Sequence, residues 1–204
     1  MIVTDITEFS KSRYKIFIDE EFAFVLYKGE LRKYGIKKDD EISKETYEEI
    51  VSEVIPKRAK LRAMNLLQKR PYTERDMRNK LREGFYPQDA VDIAIEYLKG
   101  FGYIDDRAYV LQYIDTYSSD RSTGRLQQDL MKKGIDKDVI RDVLSLKREE
   151  GDLPDEKAMI RKLLEKRGLD LENADSKEIA KTARFLYQKG FSGEMISAVL
   201  RRDF

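Results

Sequence analysis

The chain contains no cysteine and no histidine in 204 residues. Their absence removes disulfides, thiolate nucleophiles, zinc sites of the usual kind and imidazole general bases together. A cysteine-free chain agrees with a reducing cytosol. No segment approaches the roughly 20 consecutive apolar residues of a membrane span, and Met1 to Ser10 lacks the basic and apolar regions of a secretory signal, so a cytoplasmic protein that avoids membranes is expected. Phosphate-cradling glycine motifs are missing too. Gly100 and Gly102 sit in GFGY, but Asp105 stands where a dinucleotide fingerprint needs its third glycine. The adjacent Asp105 and Asp106 read as caps on the helix that follows, not as metal ligands. No catalytic residue, cofactor or metal is therefore expected.

What is present is amphipathic. Hydrophobic residues make up 41% and charged residues 39% of the chain, which suits helices with a large solvated surface better than an enzyme with deep pockets. The net charge of +1 conceals segregation. From Asp39 to Glu53 there are seven acids against one base; from Lys57 to Arg82 there are ten bases against the acids Glu74 and Asp76. The first run reads as a solvated helix face. The second is a candidate surface for phosphates or an acidic protein.

The first 30 residues alternate in strand fashion, over Ile2–Phe9, Arg13–Ile18 and Phe22–Tyr27, which predicts a hairpin or small meander with Ile16 and Ile18 on one face and Phe17 on the other. Helical spacing begins at Ser43, where Tyr47, Ile50, Val51 and Val54 form a stripe expected to end at Pro56.

Beyond Pro56 the chain repeats itself. Three apolar triplets open the copies: Ala63, Leu66 and Leu67; Val110, Tyr113 and Ile114; Ile160, Leu163 and Leu164. A helix rich in Lys and Arg then stops at a glycine followed by an apolar residue, in LREGF, LMKKGI and LYQKGF, with Gly84, Gly134 and Gly190 as the expected helix stops. The same doublets follow each time: Ala90, Val91, Ala94, Ile95; Val139, Ile140, Val143, Leu144; Met195, Ile196, Val199, Leu200. Asp136 and Ser192 are placed to cap two of these last helices, and Pro87 to open the other. The fold expected is mainly α. Residues 1–55 form a β extension plus an acidic helix, and 57–104, 105–153 and 154–204 form three three-helix repeats stacked as an elongated, curved array.

The residues expected to meet a partner are Lys57, Arg58, Lys60, Arg62, Lys69, Arg70, Arg75, Arg78, Lys80 and Arg82, with a second group at Lys157, Arg161 and Lys162 that continues to Lys166 and Arg167. Phe85, Phe101, Tyr103 and Phe191 lie beside glycines at helix ends and read as packing staples. From the residues alone the choice stays open between a direct DNA-binding helical repeat and a helical adaptor.

The repeat from Ala63 to Phe85, GYIDDRAY from Gly102 to Tyr109, the LMKKGI turn and the closing ARFLYQKGFSGEMISAVLR from Ala183 to Arg201 resemble the RecX family, bacterial regulators of the RecA recombinase. The resemblance is strong over residues 57–204 and looser before them, where it matches the extension of Gram-positive members. One departure stands out. Leu81 lies three residues before its glycine, whereas Leu130 and Leu186 lie four before theirs. The resemblance implies a non-catalytic monomer that binds the groove of the RecA filament and restrains its ATPase, strand exchange and growth. It places the chain in DNA repair, recombination and the SOS response, with single- or double-stranded DNA as a further contact.

Overall fold

In the N-terminal strands apolar side chains alternate with polar ones, and the computed structural model folds them into an antiparallel meander ordered β1-β2-β3. The model describes residues 1–171 and 173–200; Arg201, the last residue of the closing motif, lies outside them. β1 is Val3–Ser10, β2 Arg13–Ile18 and β3 Glu21–Tyr27. Ile18 pairs with Glu21, so Asp19 and Glu20 make a two-residue hairpin, and both have positive φ (48° and 71°), the geometry whose twist matches the strands. The turn is braced from β1's side. The Ile2 amide donates to Asp19 Oδ1 at 2.9 Å and the Glu20 amide to Thr4 Oγ1 at 3.0 Å. Ile16, Ile18, Phe24 and Leu26 are buried on one face.

A short helix, α1 (Lys28–Lys33), leads to a long helical run. The stripe through Tyr47 and Ile50 was expected to end at Pro56, but the helix passes through that residue. α2 (Lys44–Glu49), capped by Ser43, continues as a π-helical turn over Ile50–Val54 and then as α3 (Ile55–Leu67), with Pro56 in the first turn of α3. Proline cannot donate an amide hydrogen bond, and at the start of an α segment none is demanded of it. The wide turn before it absorbs the mismatch.

α3, α4 (Glu74–Glu83) and α5 (Gln88–Gly100) form the first three-helix unit. Its core includes Ala59, Ala63, Met77, Leu81, Val91, Ile95 and Leu98, and it is continuous with the sheet's Ile16, Phe24 and Leu26. Residues 1–105 thus share one core in one compact unit, and the following residues form another. In that second unit α6 (Asp106–Tyr117), α7 (Thr123–Lys132) and α8 (Lys137–Glu149) enclose Val110, Ile114, Leu126, Leu130 and Ile140. α9 (Glu156–Arg167), α10 (Ser176–Gln188) and α11 (Gly193–Leu200) enclose Ile160, Leu164, Leu186, Phe191 and Ile196. The caps expected at Asp136 and Ser192 are made: Asp136 Oδ1 accepts from the Asp138 amide and Ser192 Oγ from the Met195 amide.

The register anomaly at Leu81 has a structural answer. Gly134 and Gly190 end their helices in the left-handed conformation, at φ 82° and 87°, but Gly84 has φ −82° and the left-handed residue of the first unit is Phe85, at φ 61°. The hydrogen bonds agree: the amides of Tyr86, Ile135 and Phe191 each donate to the leucine carbonyl five positions earlier. Gly84 is therefore not the helix stop. Holding phenylalanine there costs about 1 kcal/mol. Its ring compensates by packing edge-on against Phe9 (4.9 Å) and Phe22 (5.9 Å) of the sheet, beneath the Lys15 ammonium at 3.9 Å.

Candidate partner-binding surfaces

The ten basic residues between Lys57 and Arg82 do not form one surface. Arg58 points inward. Its guanidinium donates to Glu30 Oε2 at 2.8 Å and to the Val25 carbonyl at 3.0 Å, lies 4.6 Å over the Tyr27 ring, and is only 14% exposed. It ties α3 to the end of β3. Arg78 is held between Glu74, one helical turn away, and Asp92 of α5. Lys80 pairs with Glu83 at 2.6 Å, and Arg82 donates to Gln88 Oε1 at 3.1 Å. Lys60 lies 5.0 Å from the Tyr97 ring centre and Arg70 4.3 Å from that of Tyr72. Arg75 is exposed on α4, and Lys57, Arg62 and Lys69 are exposed on α3 and the turn after it. Arg62, Arg58 and Lys80 share with Arg13 a cleft of about 530 Å³ beside Phe9 and Tyr86.

Glu30 and Asp92, which neutralise Arg58 and Arg78, come from other elements, so the field of the segment is smaller than its composition suggests. The carboxylates show it. Hydrogen bonds from Arg78 and Gln88 hold Asp92 below the usual carboxylate range. Burial pushes Glu74 up, but hydrogen bonds from Arg78 and Lys99 outweigh it and the net shift is downward. Both groups bind protons more weakly folded than unfolded, so their stabilisation is complete above the ordinary carboxylate pKa of about 4 and is lost as pH falls through the lowered folded values. The melting temperature is expected to fall in that acid window, and Asp92→Asn to flatten part of the fall in a pH series of circular-dichroism melts. An identical pH dependence in the variant would show that the Arg78 bridge does not form.

In the second unit Lys157, Arg161 and Lys162 are exposed on α9. Lys162 and Lys166 border a cleft of about 580 Å³ whose opposite wall carries Arg121 and Arg125, with Lys189 at the end of α10. Sequence reasoning did not single out Arg121, Arg125 or Lys189. The cleft exists because two three-helix units touch through backbone. Ser122, the N-cap of α7, is almost completely buried and its hydroxyl donates to the Lys189 carbonyl at 2.7 Å. A β-carbon on Gly124 would stand 2.3 Å from the Gly190 carbonyl oxygen, and one on Gly190 would stand 2.5 Å from the Arg125 amide nitrogen. Only glycine fits on either side.

The aromatic residues divide. Phe191 is buried as a staple. Phe101 and Tyr103, expected to do the same, are 64% and 48% exposed, and with Tyr97 they form a surface stack at centroid separations of 4.8 and 6.0 Å. Left-handed Gly102 turns the chain outward, and Ile104 takes the buried place. No helix among the described residues is long and apolar enough to cross a membrane.

Four family models match most of the chain: the N-terminal domain of the regulatory protein RecX over residues 1–43, and the first, second and third three-helix domains of RecX over 59–98, 105–144 and 155–200. A regulatory protein RecX from Caldanaerobacter subterraneus is 31% identical over 204 residues, covering 98% of both chains. One from Clostridium perfringens is 31% identical over 194 residues, covering 94% of this chain and 90% of the relative. A crystal structure of a regulatory protein RecX superposes with a TM-score of 0.64 at 25% identity, covering 97% of this chain and 98% of the other.

Proposed function

Because the chain belongs to the RecX family of regulatory proteins, we propose that it binds the RecA filament on single-stranded DNA, seats itself in the filament groove and slows ATP hydrolysis, strand exchange and filament growth. It acts in the cytoplasm, as a monomer, during DNA repair, recombination and the SOS response, and it performs no chemistry of its own. The observation that carries this reading is the full-length family match, N-terminal domain and three helical domains in one order. Exposed basic residues in each unit support it, since Lys57, Arg62 and Lys69 in one and the α9 lysines in the other can each meet an anionic assembly.

The test is steady-state ATP hydrolysis by RecA on saturating single-stranded DNA, titrated with the protein. Inhibition that levels off at a fixed ratio of protein to recombinase is expected, because a docked ligand acts by occupancy. An unchanged rate at saturating protein would remove the proposal.

A further inference from the structure

We infer that the surface running from Phe85 into the cleft beside Phe9 and Tyr86 is a docking site for an acidic peptide segment of a partner protein, one that carries an aliphatic or aromatic side chain among its acids. The inference stands apart from the recombinase reading. It begins with the strained residue. The second and third units stop their helices at a left-handed glycine, which has no β-carbon to clash, whereas the first unit holds Phe85 there at φ 61°. A ring placed only to fill a core would be buried, yet Phe85 is 36% exposed and its neighbour Phe22 is 41% exposed. Strained residues cluster where a side chain must be presented to a ligand.

The apolar surface continues from these rings. Phe9 packs edge-on against Phe85 and also lines the cleft of about 530 Å³, together with Tyr27, Tyr86 and Leu61, the last of them 56% exposed on α3. Ligand pockets run from about 300 to 1,000 Å³, so the cleft can take an apolar side chain with the backbone that carries it. The rim is cationic. Arg13, whose Nε donates to Ser10 Oγ at 3.0 Å, Lys15, whose ammonium lies over Phe85, and exposed Arg62 have no carboxylate partner among the described residues. Arg58 is neutralised by Glu30 and Lys80 by Glu83, the acid that lines the cleft among the described residues. Three uncompensated cations around exposed apolar surface are complementary to a segment that brings carboxylates and a hydrophobic side chain together.

The same surface is poorly made for other anions. Lys15 lies 3.9 Å from the centre of the Phe85 ring and Arg13 4.7 Å from that of Phe9, so cations already sit on these rings and they are not free platforms for a nucleobase. What the rings offer is apolar area, and Leu61, an aliphatic side chain, extends it. A hydrophobic side chain gains by burial there and a sugar-phosphate chain does not. A lipid surface is too flat to enter the cleft.

The experiment pans a phage library of random peptides, each about a dozen residues long, on the full chain without recombinase. Recovered peptides are expected to be rich in Asp and Glu around a Leu, Ile, Phe or Trp, and a fluorescein-labelled synthetic copy to bind the wild-type chain with an affinity that falls as salt rises. Three variants are then compared: Leu61→Asp and Arg62→Glu, which alter exposed side chains of α3, and Phe85→Gly, which puts at the left-handed position the residue that the other two units use. Each is expected to weaken the peptide by roughly tenfold or more. Circular-dichroism melts check the fold, and the two α3 variants are expected to melt with wild type, so their loss of binding is separate from any loss of structure. Recovery of no acidic peptides, unchanged affinity in the folded α3 variants, or displacement of the labelled peptide by an oligothymidylate or by phosphatidylglycerol vesicles would each overturn the inference. Because no recombinase enters the measurement, its failure leaves the ATPase result standing, and the converse holds.

Discussion

Alanine at Gly124 is expected to destabilise the second unit by at least 2 kcal/mol, because the added methyl falls 2.3 Å from the Gly190 carbonyl oxygen and both groups belong to the backbone. No rotamer change can relieve that overlap; the two three-helix units must separate. Separation also breaks the bond from Ser122 to the Lys189 carbonyl and exposes a nearly buried cap. Ser122→Ala provides the milder comparison, with an expected loss of about 1–2 kcal/mol from the cap and the bond to the Lys189 carbonyl together. Thermal and urea unfolding of both variants beside wild type measures the difference. Wild-type stability in Gly124→Ala would mean that the joint is absent in solution, and the cleft with it.

Arg58→Ala is expected to cost about 3 kcal/mol, the range for removing one partner of a largely buried ion pair. The pair is 14% and 21% exposed, and the truncation leaves both the Glu30 carboxylate and the Val25 carbonyl without their donor. Glu30 also accepts from the Tyr27 amide at 2.7 Å, so it remains anchored at the start of α1 with its charge unanswered. Arg58→Met combined with Glu30→Gln removes both charges and keeps most of the volume; it is expected to recover part of the loss. The coupling in that double-mutant cycle identifies the pair as the source. Additive losses would assign the stability to packing on Tyr27 instead. Any loss of partner binding in Arg58→Ala is then a consequence of unfolding between sheet and helix, unlike one at exposed Lys57 or Arg62.

Much of the fold can be read from periodicity because the period is the physics. Strands alternate with period two and helices near 3.6, so Ile16 and Ile18 announce a buried face and the set Ile140, Val143 and Leu144 a buried stripe. Three copies of that stripe make the repeat legible in one chain. The helix stop at Phe85 was half legible: the spacing from Leu81 shows that the glycine is out of register, but nothing local says that a phenylalanine adopts a left-handed conformation so that its ring can reach Phe9. Pro56 misled for the opposite reason. Proline is a poor helix interior residue and a good helix beginning, and the π turn before it, invisible to spacing rules, converts one into the other.

The surfaces were less legible than the core. Basic residues can be counted along the chain, but charge is cancelled across it, and Glu30 and Asp92 reach Arg58 and Arg78 from elements far away in sequence. The cleft was hidden twice over. Arg121 stands in an unremarkable turn and Arg125 in the first turn of α7, and the closeness of Gly124 to Gly190 joins two segments that no local motif relates. Of the basic residues expected from the sequence, Lys162 and Lys166 reach it, because α9 carries these cations on a face that borders the joint.

The proposed function requires the protein to occupy a filament. Co-sedimentation measures this: RecA filaments on single-stranded DNA, fixed with a non-hydrolysable nucleotide, are pelleted with increasing protein. The protein is expected to enter the pellet saturably, in constant proportion to RecA and above the amount carried down by DNA alone. Protein left in the supernatant at every concentration, while the filaments pellet intact, would contradict it.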